Sequence, residues 1–376
     1  MIMKSGIAGL VLMLIGISPL YADAADDFRY ESRKVLLPII GYSPETSLMM
    51  GGFAMRQFKP AGAGPETRSS QLLAAGIYTL NKQATLELMS NIILPGERWI
   101  FDSRLEYIWF PQKYWGVGPE TRNRDELSVE YRTYGVDLLV LRKLEEGVYA
   151  GPKISWSRLT DVVFRDASDI RAPESEFHGE DGNTLSGFND GSNTLPGFGL
   201  SFRWDKRNSF MTPASGPYLE LTGMIYPDLI GSTHPHKSLL LDARHYFDIR
   251  GDKRSVIAFH FRSNLTSGTL PFQAYSPLGG QEIMRGYYDG RFRDYNAAQI
   301  QAEFRQAVWW RFGIVAFAGA GEVWGRFDAF TLANPKLAAG AGLRFDLNPE
   351  DTSNIRIDYG MGRHGNGLYI TIGEAF

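Results

Sequence analysis

Long runs of alternating apolar and polar residues constrain the fold of this chain more than any other feature. In NIRIDYGMG (354–362), isoleucine, tyrosine and methionine occupy one face, and arginine, aspartate and glycine occupy the other. KLAAGAGLRFDL (336–347), FDSRLEYIW (101–109) and VIAFHFRSNL (256–265) follow the same period of two. Because successive side chains of a β-strand point to opposite faces, these runs predict strands with one apolar and one polar face. At roughly nine to thirteen residues they are long for soluble sheets and match tilted membrane-crossing strands.

The polar faces and the turns indicate how such strands are arranged. The polar faces carry charges of both signs, which suits a water-filled or tightly paired lumen, and amphipathic helical segments are essentially absent. A bilayer accepts β structure only as a closed barrel with no unpaired edge. The sequence therefore predicts an all-β fold, a transmembrane antiparallel β-barrel of about sixteen strands. We place the strands at 34–42, 47–59, 69–80, 84–94, 98–110, 127–144, 148–160, 194–205, 217–226, 237–248, 255–267, 296–309, 311–325, 336–347, 354–362 and 367–376.

The connections alternate in length, as expected for an outer-membrane barrel. With the N-terminus in the periplasm, the long segments 111–126, 161–193 and 268–295 all fall on the outside. LEEG, RGDK and NPEDTS fall on the inside, with the longer DKRNSFMTPASGP. The segment 161–193 is rich in Asp, Glu, Ser, Gly and Asn and is predicted to be a solvated loop.

The N-terminus resembles a secretory signal peptide. Lys4 precedes the apolar run GIAGLVLMLIGISPLY, and the small-residue site Ala22–Asp23–Ala24 follows it. A membrane anchor is the alternative, but the run is short for a span and Pro19 interrupts its end. We expect a signal peptide at 1–24, a short periplasmic segment at 25–33 and a barrel at 34–376, exported to the Gram-negative cell outer membrane.

Composition narrows the function classes. The chain contains no cysteine, which excludes a disulfide framework, a lipoprotein anchor and a thiol nucleophile. The formal net charge of −3 gives no indication of nucleic acid as a partner. The six histidines are scattered, and the HPH of 234–236 is more typical of a polar loop than of a metal site. No G-x-S-x-G elbow is present. We expect no metal, no cofactor and no catalytic residues, although a Ser–His–Asp site assembled across strands stays open.

The loop LGGQEIMRGYYDGRFRD (278–294) resembles a phosphate-binding loop in composition only. A phosphate loop needs a helix N-terminus after it. Here YNAAQIQAEFRQAVWW follows, and its apolar and polar residues alternate as in a strand. Two interpretations remain: a loop that folds into the lumen, where an arginine favours a bidentate carboxylate partner, or an ordinary extracellular loop.

Four stretches together resemble one family. GGQEIMRGYYDGRFRD resembles the Arg-Gly-Tyr/Phe loop of the bacterial surface antigen family, the barrel-assembly superfamily of BamA/TamA-like outer membrane proteins. FRWDKRNSFMTPASGPYLEL resembles its Asp-x-Arg-Asn…Pro…Gly turn, VAFAGAGEVW its Phe-x-Asp-x-Gly strand, and GAGLRFDL…NIRIDYG its penultimate hairpin. VLLPIIGYSPETSLMMGG resembles the opening hairpin of short members, so the resemblance covers about 34–376.

The resemblance implies specific site residues. It implies an inward-folded loop between strands 11 and 12, in which an arginine pairs with an acid on the inner wall. The motif residues are Gly279, Gly280, Arg285, Gly286, Tyr287 and Arg291. Gly319 stands where the family has the partner Asp. The substitutes that alternation offers are Glu303, Glu322 and Asp358, of which we favour Glu303.

Two further motifs lie near the periplasmic side of the predicted barrel. The turn motif consists of Asp205, Arg207, Asn208, Pro213 and Gly216. The terminal Phe376 is the C-terminal strand signal, and alternation places it in register with Leu368, Ile370 and Ile372.

The resemblance also implies a function. It suggests insertion or translocation of proteins, or lipids, at the outer membrane through a lumen-plugged barrel that opens sideways. Pro38, Gly365, Gly367 and Gly373 in the seam strands are compatible with a loose seam, or are ordinary strand-end residues. We recognise none of the family's N-terminal periplasmic repeats and expect a barrel-only form. Its expected partners are outer-membrane lipids including lipopolysaccharide, client proteins and a separate periplasmic partner chain. The alternatives are a passive pore or structural barrel and, third, an outer-membrane hydrolase.

Overall fold

The protein forms a closed antiparallel β-barrel of sixteen strands. A computed structural model describes residues 33–64, 67–165, 192–209, 212–348 and 353–376. The expected signal peptide and most of the segment 25–33 lie outside these residues. We number the barrel strands in chain order: β1 Arg33–Ser43, β2 Ser47–Phe58, β3 Ser70–Thr79, β4 Ala84–Ile93, β5 Trp99–Trp109, β6 Leu127–Glu145, β7 Val148–Arg165, β8 Ser192–Asp205, β9 Gly216–Tyr226, β10 His236–Asp248, β11 Ser255–Gly268, β12 Asn296–Trp309, β13 Phe312–Trp324, β14 Lys336–Asn348, β15 Ser353–Gly362 and β16 Gly365–Ile372.

The alternation predicted from the sequence is visible in the burial of the strands. On β12, Gln301, Glu303 and Arg305 are buried, whereas Ile300 and Phe304 are 48% and 43% exposed. Apolar side chains therefore cover the outside, where lipid would contact them, and polar side chains fill the inside. In the part of the chain that the structure describes, no helix is long and apolar enough to span a membrane. That part also contains no separate periplasmic repeat.

Each strand pairs with its neighbours along the chain, except where β1 closes the ring with β16. β1 pairs with β2 along its whole length, from Arg33 to Ser43. Its register with β16 consists of one pair, Tyr42 with Ile370. We call this β1–β16 contact the seam, and it is the most weakly paired junction of the described barrel.

The strands β6 and β7 are longer than a membrane span requires. They contain 19 and 18 residues, whereas about 9–11 residues of tilted strand cross a bilayer. Their ends, with the short strand Gln112–Tyr114, pack against the β11–β12 loop in one apolar cluster that includes Val129, Leu159, Phe164 and Phe272. This cluster lies at the end of the barrel that carries the long connections.

Three details of the sequence prediction need correction. The predicted loop 161–193 is shorter, because β7 continues to Arg165 and β8 begins at Ser192; residues 166–191 lie outside the described part. The loop 269–295 contains two short paired strands, Ser276–Leu278 and Phe292–Asp294, that alternation did not indicate.

The third correction concerns Phe376, predicted to share a face with Leu368 in a strand ending at 376. β16 ends at Ile372, and Gly373 adopts a φ of 80° that turns the chain. Phe376 is 5% exposed and packs beside Tyr246 and His260 of the inner wall. An aromatic ring gains more by burial against these side chains than by extending an unpaired strand end.

Candidate functional site

The loop between β11 and β12 packs against inward-facing side chains of the barrel. Met284, Arg285 and Tyr287 are 0% exposed. At the start of the loop, the Gly279 N–H donates to Oε1 of Gln299 on β12 at 3.1 Å. Gly279 has a φ of 109°, a conformation that glycine adopts without strain and that turns the chain inward here.

Arg285 contacts two carboxylates on different strands. Its guanidinium donates to Glu303 of β12 and to Asp358 of β15, and all three side chains are fully buried. The guanidinium carbon also lies 3.6 Å from the centre of the Phe317 ring. Charge on both edges and an aromatic ring on one face match the planar geometry of arginine, and a lysine could not satisfy all three contacts.

These contacts belong to a closed ring of ion pairs. Three arginines and three carboxylates alternate in the order Arg285, Glu303, Arg305, Glu374, Arg344 and Asp358. The N···O distances are 2.9 Å for Arg305–Glu303, 3.7 Å for Arg305–Glu374, 2.8 Å for Arg344–Glu374 and 2.6 Å for Arg344–Asp358. Each buried charge therefore has two opposite charges beside it, the condition under which buried ion pairs are tolerated. We call this set the ion-pair ring.

The ion-pair ring connects parts of the chain that are distant in sequence. It joins the loop to β12, β14 and β15, and Glu374 adds the segment that follows β16. Arg356 also approaches Asp358, at 3.6 Å, and donates to the Thr371 hydroxyl of β16 at 2.8 Å.

Behind Arg285 the loop backbone lies directly on strand backbone. A Cβ at Gly360 of β15 would lie 2.5 Å from the carbonyl of Arg285, and a Cβ at Gly286 would lie 2.6 Å from the Met361 nitrogen. The Tyr287 ring occupies the space beside Gly362, and its hydroxyl donates to the Leu337 carbonyl at 3.0 Å. Only glycine on both surfaces permits this approach. We call this contact the glycine interface.

Gly319, where the family has the partner Asp, faces the loop without contributing a charge. A Cβ there would lie 3.2 Å from Sδ of Met284. Glu303 is directly opposite Phe317 in the β12–β13 register. It therefore supplies a carboxylate beside Arg285 from the neighbouring strand.

Two of the predicted site residues have other partners. Nζ of Lys336 lies 2.7 Å from Oε1 of Glu322, so that carboxylate pairs with β14. Arg291 donates to the Thr121 side chain and carbonyl, both at 3.0 Å, and to Asn123 at 2.8 Å. It therefore binds the connection between β5 and β6, outside the ion-pair ring.

The turn motif after β8 is internally hydrogen-bonded and reaches the ion-pair ring. Arg207 donates to both Asp205 oxygens at 2.9 Å, and Asn208 Oδ1 accepts from the Ala214 N–H at 2.9 Å. Gly216 has a φ of 98°, and a Cβ there would lie 2.1 Å from the Lys206 carbonyl oxygen. The Pro213 carbonyl accepts from Nη1 of Arg305 at 3.2 Å. The turn motif and the ion-pair ring therefore meet at Arg305.

Sequence reasoning did not identify Arg305, Glu374 or Tyr369 as site residues. Alternation placed Arg344 and Arg356 on the inner face, and they are directly opposite each other in the β14–β15 register. Like charges in such a position are destabilising unless carboxylates lie between them. That like-charged pair is the signal that could have predicted an acidic network here.

The remaining candidates for metal binding are the HPH segment and the acidic side chains. Within the described residues, no group of three or more His, Asp or Glu side chains could hold a metal ion. His234 and His236 of the HPH segment are buried, with Nδ1 of His236 hydrogen-bonded to the His234 carbonyl and its ring stacked on Tyr226.

An apolar outside, a charged inside and a closed ring of strands define an outer-membrane β-barrel. The model of the Omp85 superfamily domain matches residues 73–376, and the chain belongs to this superfamily.

Solved structures agree on the fold. The chain resembles BamA from Haemophilus ducreyi lacking POTRA domains 1–3, with a TM-score of 0.62, 12% identity and coverage of 91% of this chain and 70% of that one. It also resembles CdiB from Escherichia coli (TM-score 0.58, 12% identity, 93% of this chain and 64% of that one). A third similar structure is CdiB from Acinetobacter baumannii, with a TM-score of 0.54, 12% identity and coverage of 91% of this chain and 65% of that one. The chain thus spans just under two thirds of the length of either CdiB. No curated protein matches it.

Proposed function

We propose that this barrel assists the insertion or translocation of proteins, or of lipids, at the outer membrane by opening sideways at the seam. The seam is the observation that carries the proposal. A single register pair, Tyr42 with Ile370, joins β1 to β16. Separating them breaks few backbone hydrogen bonds, whereas opening any other junction would break a full ladder.

The loop between β11 and β12, which we call the inner loop, supports a role other than passive conduction. The ion-pair ring and the glycine interface hold the loop against β12, β14 and β15. A barrel braced in this way keeps its shape when one junction separates, because the loop ties together the strands on one side of the seam. A passive pore needs no such brace, and the loop reduces its open cross-section.

The proposed role is non-enzymatic. The carboxylates of the ion-pair ring each lie beside two arginines, which disfavours a role for them as acid, base or nucleophile. We propose outer-membrane lipids including lipopolysaccharide as the surroundings of the apolar outer face. We further propose that a separate periplasmic partner chain presents client proteins, and that the chain reaches the membrane through a cleaved signal peptide at 1–24.

The test is to lock the seam. Tyr42 and Ile370 both point outward and are in register, so a Tyr42→Cys/Ile370→Cys pair has the Cα separation that a disulfide needs. The native chain has no cysteine to interfere. The matched control is Leu88→Cys/Leu105→Cys across the fully paired β4–β5 junction.

We expect the oxidised seam lock, and not the control, to reproduce the outer-membrane protein and lipid changes of a deletion strain, with reversal by reductant. Full complementation by the oxidised seam lock would refute lateral opening. Steady open current in a planar bilayer, unchanged in Arg285→Ala, would favour the passive pore instead.

A further inference from the structure

The tip of the inner loop bridges the two sides of the seam. On one side, the Gly286 N–H donates to the Tyr369 hydroxyl of β16 at 3.1 Å. On the other side, the Asp289 N–H donates to Oε1 of Glu45 at 2.9 Å. Glu45 lies in the turn that joins β1 to β2. Four residues of loop, Gly286 to Asp289, therefore connect β16 to the first hairpin, in addition to the one backbone pair of the seam.

The packing around this bridge brings the two sides together. A Cβ at Gly367 of β16 would lie 2.6 Å from the Tyr369 hydroxyl oxygen and 2.8 Å from Cγ of Pro44. Pro44, beside Glu45 in the first turn, thus packs against the last strand at the level where the loop crosses. The contact joins the two sides of the seam near the start of β16, whereas Glu374 of the ion-pair ring lies beyond the other end of that strand.

Glu45 is held in place by the second hairpin. Its backbone carbonyl accepts from Nδ2 of Asn81 at 2.9 Å and from Nε2 of Gln83 at 2.8 Å, both in the turn between β3 and β4. Glu45 is buried, with 7% of its surface exposed. The carboxyl group is therefore presented to the loop by a fixed turn, and its position does not depend on the loop.

The surroundings of Glu45 make its charge unfavourable in this position. Burial, and next the neighbouring Asp289 carboxylate, raise the pKa of Glu45 to about 7 from an ordinary value of 4.5. The Tyr288 hydroxyl from the loop and the Tyr369 hydroxyl from β16 also interact electrostatically with the carboxyl group. The hydrogen bonds to Ser43 and to the Asp289 N–H act in the opposite direction and lower the pKa, but burial outweighs them. If the loop tip separated from the turn, water would reach the carboxyl group and restore its ordinary pKa.

We propose that Glu45 and the backbone of Asp289 form a latch that controls opening of the seam. This inference rests on the laterally opening barrel proposed above. The latch is stable when Glu45 is protonated, since the neutral carboxyl group still accepts the Asp289 N–H. Its stability is fully present below the ordinary pKa of Glu45 and is lost as the pH rises through the raised one. Acid therefore closes the seam, and neutral to alkaline pH releases it.

The test measures the separation of β16 from β2 directly. Nitroxide labels on Leu48→Cys and Leu368→Cys, both on the outer face, flank β1 across the seam. The protein is reconstituted in phospholipid vesicles without any client, and dipolar broadening is followed from about pH 5 to about pH 9. Labels on Leu88→Cys and Leu138→Cys, which flank the fully paired β5 in the same geometry, serve as the control.

In the otherwise native chain, we expect seam broadening to fall with rising pH, with a midpoint near 7. In Glu45→Gln, broadening should persist throughout, because the amide oxygen accepts the same hydrogen bond without a charge. In Glu45→Ala it should be weak at every pH, because the acceptor is gone. The control pair should not respond in any of them.

A Glu45→Gln variant that titrates like the native chain, or a Glu45→Ala variant that keeps full broadening, would overturn the latch. Both outcomes are independent of client export. The label experiment could support the latch while the oxidised seam lock still complements the deletion strain. That combination would overturn the proposed function and leave the latch standing. If Glu45→Ala does not fold, the comparison of Glu45→Gln with the native chain still decides.

Discussion

Replacing Arg285 by alanine should release the inner loop from the wall without unfolding the barrel. Removing one partner of a buried ion pair costs about 3–5 kcal/mol. Here Glu303 keeps Arg305 at 2.9 Å and Asp358 keeps Arg344 at 2.6 Å, so the lower end, about 3 kcal/mol, applies. Because 1.4 kcal/mol corresponds to a factor of ten, the open population of the loop should rise about 100-fold.

The assay is the rate of maleimide labelling of an Ile283→Cys variant. Ile283 is 2% exposed in the same loop, so a thiol there reacts only when the loop opens. Arg285→Ala should accelerate labelling about 100-fold, and Arg285→Lys by less, since it keeps the charge and loses the planar fork. Arg326→Ala, which removes an exposed pair with Asp328, should leave the rate unchanged. Equal labelling in Arg285→Ala and Arg326→Ala would refute the idea that the ion-pair ring holds the loop.

Three further substitutions test neighbouring parts of the site. Asp358→Ala should lower the midpoint of urea unfolding, followed by tryptophan fluorescence, more than Arg285→Ala does, because it leaves three arginines facing one another; equal midpoints would contradict this. Gly360→Ala should accelerate Ile283→Cys labelling, since its Cβ would overlap the loop backbone, whereas Gly223→Ala meets only a side-chain end at 3.8 Å and should not. Gly216→Ala should slow folding into detergent micelles, measured by heat-modifiable gel migration, because its φ of 98° and the Lys206 carbonyl both exclude a side chain; a native folding rate would argue against strain in this turn.

The number of strands, and which side chains of each strand point into the barrel, could be predicted from the sequence because both follow from the period of two. Alternation alone places Glu303 and Asp358 on the inner face. It could not show that both carboxylates contact Arg285. That depends on how deeply the loop enters and on the stagger between strands, and neither quantity is encoded in the local pattern.

The segments that alternation described poorly are those where tertiary contacts override local preference. The turn at Gly373 and the inward position of Phe376 depend on a cluster formed with Tyr246 and Ala258, more than a hundred residues earlier in the chain. The short strands of the inner loop pair with each other, and Arg293 also forms a bridge with Gly118; at three residues they are too short to show a period. Pro38 of β1 is compatible with a loose seam and equally with an ordinary strand, so the sequence alone could not locate the weak junction.

The glycine interface limits how this region of the protein can change. Most steric conflicts in a protein interior can be relieved by a second substitution that shortens the opposing side chain. Here Gly286 and Gly360 oppose each other through main-chain atoms, and neither surface has a side chain left to shorten. A larger residue on either surface can therefore be accommodated only by moving a strand or withdrawing the loop. Compensating pairs of substitutions should be absent between these two positions, and a screen for suppressors of Gly360→Ala should return changes in the loop's other anchors.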